Sequence, residues 1–143
     1  YTTIPLLQSE DWNDNTELYQ VDTANHTITV TQAGRYRISV SVPLQISLNT
    51  VDAPDHFSIT EMQIAINDVN VGTPRITLKT GVFGHRYNYM DITEVIMLNA
   101  NDTISIVIKT IGETSSVVFY DSRSSGNLDN SQRKVAYMYL EQL

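Results

Sequence analysis

The residues of this chain that could do chemistry are three histidines and a serine-rich segment. The histidines, His26, His56 and His85, lie far apart and show none of the short spacings by which proteins hold a metal. The segment from Ser122 to Gly126 lacks the strand-to-helix elbow that activates a serine nucleophile. The chain has no cysteine, which excludes disulfides, thiolate metal sites and a thiol nucleophile. We therefore expect no catalytic residue, no cofactor and no metal, and we predict that the chain is not an enzyme.

Two turns rich in Asp and Asn offer the oxygen atoms that calcium prefers as ligands. One contains Asp52 and Asp55, and the other spans Asn99 to Asp102. Neither has the ligand spacing of a known calcium loop, so ordinary solvated turns are the simpler interpretation.

Two Asn-x-Thr sequons begin at Asn25 and Asn101. Both lie in predicted turns, where glycosylation would be feasible in a chain secreted from a eukaryotic cell. The preference of asparagine for turns explains both without any modification.

Composition and charge exclude two classes of partner. The net charge is −7 and only 9 residues are Lys or Arg, so the chain lacks the basic patch that binds nucleic acid. No run approaches the roughly 20 apolar residues of a membrane helix, so we expect no membrane insertion. At 143 residues the chain can form one domain with its own core. It starts at Tyr1 without a signal peptide, and we interpret it as a processed piece of a longer protein.

The elements that must position these residues are β-strands. Apolar and polar residues alternate over 27–31 and again over 35–42, on either side of a corner that contains Gly34. A period of two places one apolar face and one polar face on each strand, as in an antiparallel sheet that covers a core. Similar runs recur along the chain, with Asn67 to Asn70 as a hairpin signal and a bulge near Glu61.

About ten short strands at near-regular spacing predict an all-β protein, an antiparallel jelly-roll β-sandwich. We expect residues 1–16 to be a lead-in segment and residues 17–143 to form the single jelly-roll domain. The Asp- and Asn-rich stretch 49–56, the corner 81–86 and the polar stretch 121–132 are predicted as loops.

The last predicted strand, residues 135–140, is apolar on both faces. One face carries Val135, Tyr137 and Tyr139, and the other carries Ala136, Met138 and Leu140. The strand 103–110 shows the same property more weakly, because Val107 interrupts its polar face. Such strands need cover on both sides. A central strand covered by loops would satisfy this need, but we favour a subunit interface.

The order of these pieces resembles the trimeric jelly-roll superfamily of the complement globular heads and tumour necrosis factor. The corner Ala33-Gly34-Arg35-Tyr36 and the apolar alternation after it resemble one strand of that family, and Ile28-Thr-Val30 resembles the strand before it. Further similar motifs are Met62 to Asn67 followed by Val71-Gly72, Leu98 to Ile106, and Val135 to Leu140. Asp68 and Asn101 stand where the family usually has Gly, and the last strand lacks its Gly.

The resemblance implies a noncovalent homotrimer in which one sheet of each subunit faces the threefold axis. Carried over strand by strand, it implies that the partner-facing positions are Arg37, Ser39, Ser105, Val107, Lys109, Tyr137 and Tyr139. The missing cysteines and the high Thr, Asn and Ser content are most similar to bacterial or phage members, such as the C-terminal heads of collagen-like spore-surface glycoproteins.

We therefore predict a homotrimeric C-terminal head of a longer bacterial or phage surface protein, located outside the cell on a cell, spore or virion surface. Its loops would meet a glycan or protein receptor. The candidate ligand residues are Asp52, Asp55, His56, His85, Arg86, Arg123 and Asn127. The alternative is a monomeric carbohydrate-binding jelly-roll module whose sugar platform is Trp12 with Tyr87 or Tyr89. A phage capsid or tail decoration head would share the trimer and differ only in its biological setting.

Overall fold

A computed structural model describes residues 1–5, 7, 13–48, 57–80, 84–112, 115–119 and 136–143. These residues form ten strands: β1 (Thr2–Thr3), β2 (Tyr19–Asp22), β3 (Thr27–Val30), β4 (Gly34–Leu48), β5 (Phe57–Ile66), β6 (Val69–Thr80), β7 (Gly84–Leu98), β8 (Thr103–Gly112), β9 (Ser115–Phe119) and β10 (Tyr137–Gln142). The described part of the chain has no helix long and apolar enough to cross a membrane.

The strands form two antiparallel sheets, so the predicted all-β jelly-roll β-sandwich is confirmed. The six-stranded sheet has the order β2-β3-β8-β5-β6, with β1 paired to β8, and the four-stranded sheet has the order β10-β4-β7, with β9 paired to β4. The β5–β6 hairpin is flanked in sequence by the β4–β7 pair, and that pair by the β3–β8 pair. This nesting is the rolled double ribbon of a jelly roll. β4 ends where predicted, at Leu48, whereas β7 is longer than predicted, because it begins at Gly84 within the predicted loop 81–86.

The core lies between the two sheets and is built from the alternating apolar residues that the sequence indicated. Tyr36, Ile38 and Val40 of β4 are buried against the opposite sheet, which contributes Ile104 and Ile106 from β8. The Tyr36 hydroxyl donates a 2.7 Å hydrogen bond to the carbonyl of Gln32, so its polar end is satisfied within the core wall.

The β5–β6 hairpin turns through two residues, Asn67 and Asp68, whose φ angles are 50° and 65°. Two consecutive positive φ angles are typical of the type I′ turn, which matches the twist of the two strands. The predicted bulge is present as a register shift between Met62 and Ile64. The predicted hairpin and the predicted bulge are therefore both confirmed.

β4 and β8 each pair along one side with two shorter strands. Along β4, Phe119 at the end of β9 pairs with Leu44, and Tyr137 at the start of β10 pairs with Ser41. Along β8, β1 and β3 lie one after the other in the same way. Within the predicted lead-in segment, Ile4 donates a 2.8 Å backbone hydrogen bond to Ile106 and its side chain is buried in the core.

Candidate functional site

The candidate site is the outward side of the four-stranded sheet, which we call the four-strand face. Side chains alternate across β4, so the residues between the core positions point away from the core. Cross-strand register extends this face over β7 and β10. Its members are Arg35, Arg37, Ser39, Ser41, Pro43, Tyr89, Asp91, Thr93, Val95, Met97, Tyr137, Tyr139 and Glu141.

The β10 margin of this face is aromatic. Tyr137 and Tyr139 are 54% and 42% exposed, whereas Met138 and Leu140 pack against the core. The predicted division of this strand into two apolar faces is therefore confirmed. One face is covered by the sandwich itself, and the tyrosine face is solvent-exposed in the single chain.

The β7 margin on the other side of β4 is also apolar. Val95 and Met97 are 50% and 68% exposed, and Tyr89 is exposed further along the same strand. Partial burial raises the pKa of the Tyr89 phenol, and the neighbouring charge of Asp91 raises it further. The phenol therefore stays neutral at physiological pH.

A polar strip on β4 separates the two margins. Arg37 forms an ion pair with Glu141 of β10, with 3.1 Å between Nη1 and Oε2. On the opposite side of β4, the Thr93 hydroxyl donates a 3.3 Å hydrogen bond to the hydroxyl of Ser39. The exposed ion pair contributes little stability, roughly 0–1 kcal/mol in typical cases. It links β4 to β10 across their paired positions Arg37 and Glu141.

The structure brings together only four of the seven residues predicted to face a partner. Arg37, Ser39, Tyr137 and Tyr139 lie on the four-strand face, and their pairing is direct, since Tyr139 is opposite Ser39. The other three, Ser105, Val107 and Lys109, lie on β8. Because β8 belongs to the six-stranded sheet, they belong to the opposite side of the sandwich.

Ser105 and Val107 are buried within the single chain, at 4% and 7% exposure. Lys109 is exposed, and its Nζ lies 5.5 Å from the centre of the Tyr1 ring. The Tyr1 hydroxyl in turn donates a 2.8 Å hydrogen bond to Glu61. These contacts tie the start of the chain to the outer surface of the six-stranded sheet.

Most of the predicted ligand residues lie outside the described residues. These are Asp52, Asp55, His56, Arg123 and Asn127. The remaining two correct the predicted loop 81–86. His85 and Arg86 belong to strand β7, because the β4–β7 ladder continues to the end of β4 and pairs these two positions with Ser47 and Ile46.

The carboxylate of the turn considered for calcium binding is engaged in hydrogen bonds within the protein. The Asp102 carboxylate accepts from the Asn67 amide and from the backbone N–H of Asn99, both at 2.7 Å. Both oxygens of this carboxylate therefore accept hydrogen bonds from other groups of the protein. No group of three or more potential metal ligands occurs among the residues that the structure describes.

The two sequon asparagines differ in their side-chain environment. Both are exposed. The Asn25 amide donates a 2.8 Å hydrogen bond to Asp22 and so closes the β2–β3 turn. Asn101 occupies a left-handed position in its turn, with φ of 70°. Both placements agree with the turn interpretation.

Sequence reasoning missed the β7 margin of the four-strand face. The signal was present, because Val95 and Met97 alternate with Ile96 and Leu98, so both sides of this stretch are apolar. The same signature had indicated a two-sided strand at the end of the chain. In β7 the polar Asp91 and Thr93 earlier in the strand obscured it.

Comparison with known proteins gives likenesses among solved structures only. No family model matches the chain, and no curated protein matches it. Among solved structures, the Eiger TNF from S. frugiperda is similar, with a TM-score of 0.45 and 12% sequence identity. The likeness covers 87% of this chain and 68% of that chain. The jelly-roll fold of this chain follows from its own strand order.

Proposed function

We propose that this chain is a non-enzymatic homotrimeric head, which assembles through the four-strand face. The observation that carries the proposal is the exposure of large apolar side chains on both margins of that face. Tyr137 and Tyr139 line one margin, and Val95 and Met97 line the other. Monomeric proteins rarely leave such a set uncovered on one surface.

The arrangement of the margins favours a ring over a twofold dimer. A head-to-tail contact would join the tyrosine margin of one copy to the Val95 and Met97 margin of the next. Such heterologous contacts form rings when the rotation closes. Stacking two copies face to face would instead bring Arg35 and Arg37 of one subunit close to those of the other, and like charges repel.

The apolar margins of the face can sustain a subunit interface. A typical stable interface buries ~800 Å² from each partner. Burial of a large apolar side chain contributes about 1.5–3 kcal/mol before the costs of association. Four such side chains per subunit, two on each margin, can therefore sustain assembly without disulfides, which this chain cannot form.

In this proposal the head terminates a longer bacterial or phage protein on a cell, spore or virion surface. Assembly would set the register of the chain that precedes it, and the loops would meet a glycan or protein receptor. The stretches between β4 and β5, between β6 and β7 and between β9 and β10 are the candidates for this contact. Loops on a rigid scaffold commonly carry recognition.

The first experiment is the native mass by light scattering behind a sizing column, over a dilution series. We expect a mass near three times the 16.1 kDa chain. Tyr139→Lys should shift the mass to that of a monomer, because the charge would be buried in the interface. Val69→Lys is the matched control, since Val69 is similarly exposed but lies on the six-stranded sheet. A wild-type chain that stays monomeric at every concentration would refute the proposal.

A second experiment tests the head-to-tail contact. The chain has no cysteine, so the double variant Val95→Cys, Tyr139→Cys carries only two thiols. Two strand spacings and an offset of two residues, together about 12 Å, separate these positions within one subunit, which is too far for a disulfide. Mild oxidation should therefore give covalent dimers and trimers, and each single variant should stop at dimers. A double variant that also stops at dimers would exclude the ring.

The competing function is a monomeric carbohydrate-binding module. The exposure of Tyr89 on the β7 margin favours it, since sugar rings pack on aromatic faces. Trp12 and the Tyr87 side chain, the other predicted platform residues, lie outside what the structure describes. A monomer that binds a glycan array, and loses this binding in Tyr89→Ala, would favour the module over the trimer.

A further inference from the structure

Met97 is the methionine whose sulfur is most accessible to an oxidant among the described residues. It is 68% exposed, more than any other large apolar residue for which exposure is described. Met62 and Met90 are 0% and 3% exposed, and Met138 packs against the core. The chain has four methionines and no cysteine, so thioether chemistry is the only sulfur chemistry available to it.

Met97 also lies where a change of polarity would matter. It is on the edge strand β7, opposite Arg35 of β4, and forms the apolar margin together with Val95. A thioether is polarisable and adapts well to a contacting surface. The sulfoxide is polar and disrupts interfaces that depend on methionine.

We propose that Met97 is an oxidation-sensitive assembly switch. This inference rests on the proposed function, because it assigns a regulation to the same face. A peroxide transfers one oxygen atom to the Met97 sulfur, which is oxidised to the sulfoxide while the peroxide is reduced to water or an alcohol. Subunits oxidised before assembly are then excluded from the oligomer, and assembled subunits are protected because the margin is covered.

The test combines peroxide treatment with two substitutions. Hydrogen peroxide is applied to dilute protein, peptide mapping by mass spectrometry locates the added oxygen, and light scattering follows the dissociation. We expect Met97 to be oxidised before the other methionines and more slowly as protein concentration rises. The concentration at half dissociation should increase at least about tenfold. For a trimer this is a roughly 100-fold change in the dissociation constant, equivalent to a loss of ~2.8 kcal/mol per trimer.

The substitutions separate oxidation of Met97 from general damage. Met97→Leu keeps an apolar side chain without sulfur, so peroxide should leave its own concentration at half dissociation unchanged. Met97→Gln imitates the polarity of the sulfoxide and should match the peroxide-treated wild type. Oxidation of Met138 before Met97, or assembly of Met97→Gln at wild-type concentrations, would overturn the switch. The native mass of the untreated wild type is measured before any peroxide is added. A monomeric mass at that stage would refute the trimer itself.

Discussion

The Asn67 side chain links two turns by donating a 2.7 Å hydrogen bond from its Nδ2 to Oδ1 of Asp102. Its Oδ1 accepts from the backbone N–H of Thr103 at 2.9 Å and from the Thr103 hydroxyl at 3.1 Å. One amide therefore joins the β5–β6 hairpin to the turn between β7 and β8. The buried Asp102 carboxylate depends on this donor for one of its two hydrogen bonds.

We expect Asn67→Gly to lower the free energy of unfolding by about 1–3 kcal/mol, because a buried carboxylate oxygen loses its partner. Glycine retains the left-handed backbone, so the loss measures the side-chain bonds. Asn67→Ala should cost roughly 1 kcal/mol more, since alanine resists positive φ. Urea unfolding followed by circular dichroism measures both. Equal stability of Asn67→Gly and the wild type would show that the link carries no energy.

Asp68 offers a stabilising substitution in the same hairpin. Its φ is 65°, and its side chain is exposed. We expect Asp68→Gly to raise the free energy of unfolding by about 0.5–1 kcal/mol, because Asn-Gly is the preferred pair for this turn. Asp68→Ala should be less stable than the wild type. A lower thermal midpoint for Asp68→Gly would contradict the turn assignment.

Thr60 carries a buried hydroxyl that has no hydrogen-bond partner among the described residues. The side chain is fully buried on β5, on the same side of the strand as Met62. We expect Thr60→Val to raise the free energy of unfolding by about 1–2 kcal/mol, because valine has the same shape and needs no partner.

Thr60→Ser provides the matched control for this position. It keeps the hydroxyl and removes a buried methyl group, so it should lose about 1 kcal/mol. The expected order of thermal midpoints is therefore valine, threonine, serine. A valine variant less stable than the wild type would reveal that the hydroxyl is satisfied.

Asp22 should give the fold a measurable dependence on pH. A hydrogen bond from the Asn25 side chain, together with backbone N–H groups of Asn25 and Ala24, lowers the Asp22 pKa below its ordinary value of 3.8. A lowered pKa in the folded state means that the stabilisation is present above pH 3.8 and is lost as pH falls through the folded pKa.

Comparison of Asp22→Asn with the wild type isolates this contribution. The variant should be less stable than the wild type at neutral pH, and the difference should shrink when urea unfolding is repeated well below the ordinary pKa. The other carboxylates titrate in both proteins and cancel from the comparison. A difference that does not change with pH would assign the loss to shape rather than charge.

Ile4 tests whether the start of the chain belongs to the sandwich. Its side chain is 3% exposed in the core cluster. We expect Ile4→Ala to lower the free energy of unfolding by about 2–5 kcal/mol, as for other large core residues. Thr2→Ala, on the exposed strand β1, should change it by less than about 0.5 kcal/mol. Equal effects of the two substitutions would mean that this segment is detached in solution.

The local pattern of the chain predicted most of its strands and one of its turns in detail. Alternation over 35–42 gave the buried face of β4, and the hairpin signal at 67–70 located the β5–β6 turn, which the structure closes in two residues. The last strand was predicted to be apolar on both faces from the alternation of its residues 135–140. These features depend on neighbours in sequence, and a period of two is visible without any long-range information.

Only the tertiary structure decided which strands share a sheet. In the sequence, Tyr139 and Val107 are both apolar residues on the second face of a strand. In the structure, Tyr139 lies on the four-strand face, whereas Val107 is buried on the opposite sheet. The β10 partner of Ser39 lies 100 residues further along the chain, and no local pattern encodes that pairing. The sequence determined the two faces of each strand. Sheet membership and register were decided by the closing of the core. The core closure placed Val95 and Met97 of β7 opposite the arginines of β4, and it placed the tyrosines of β10 on the other side of β4.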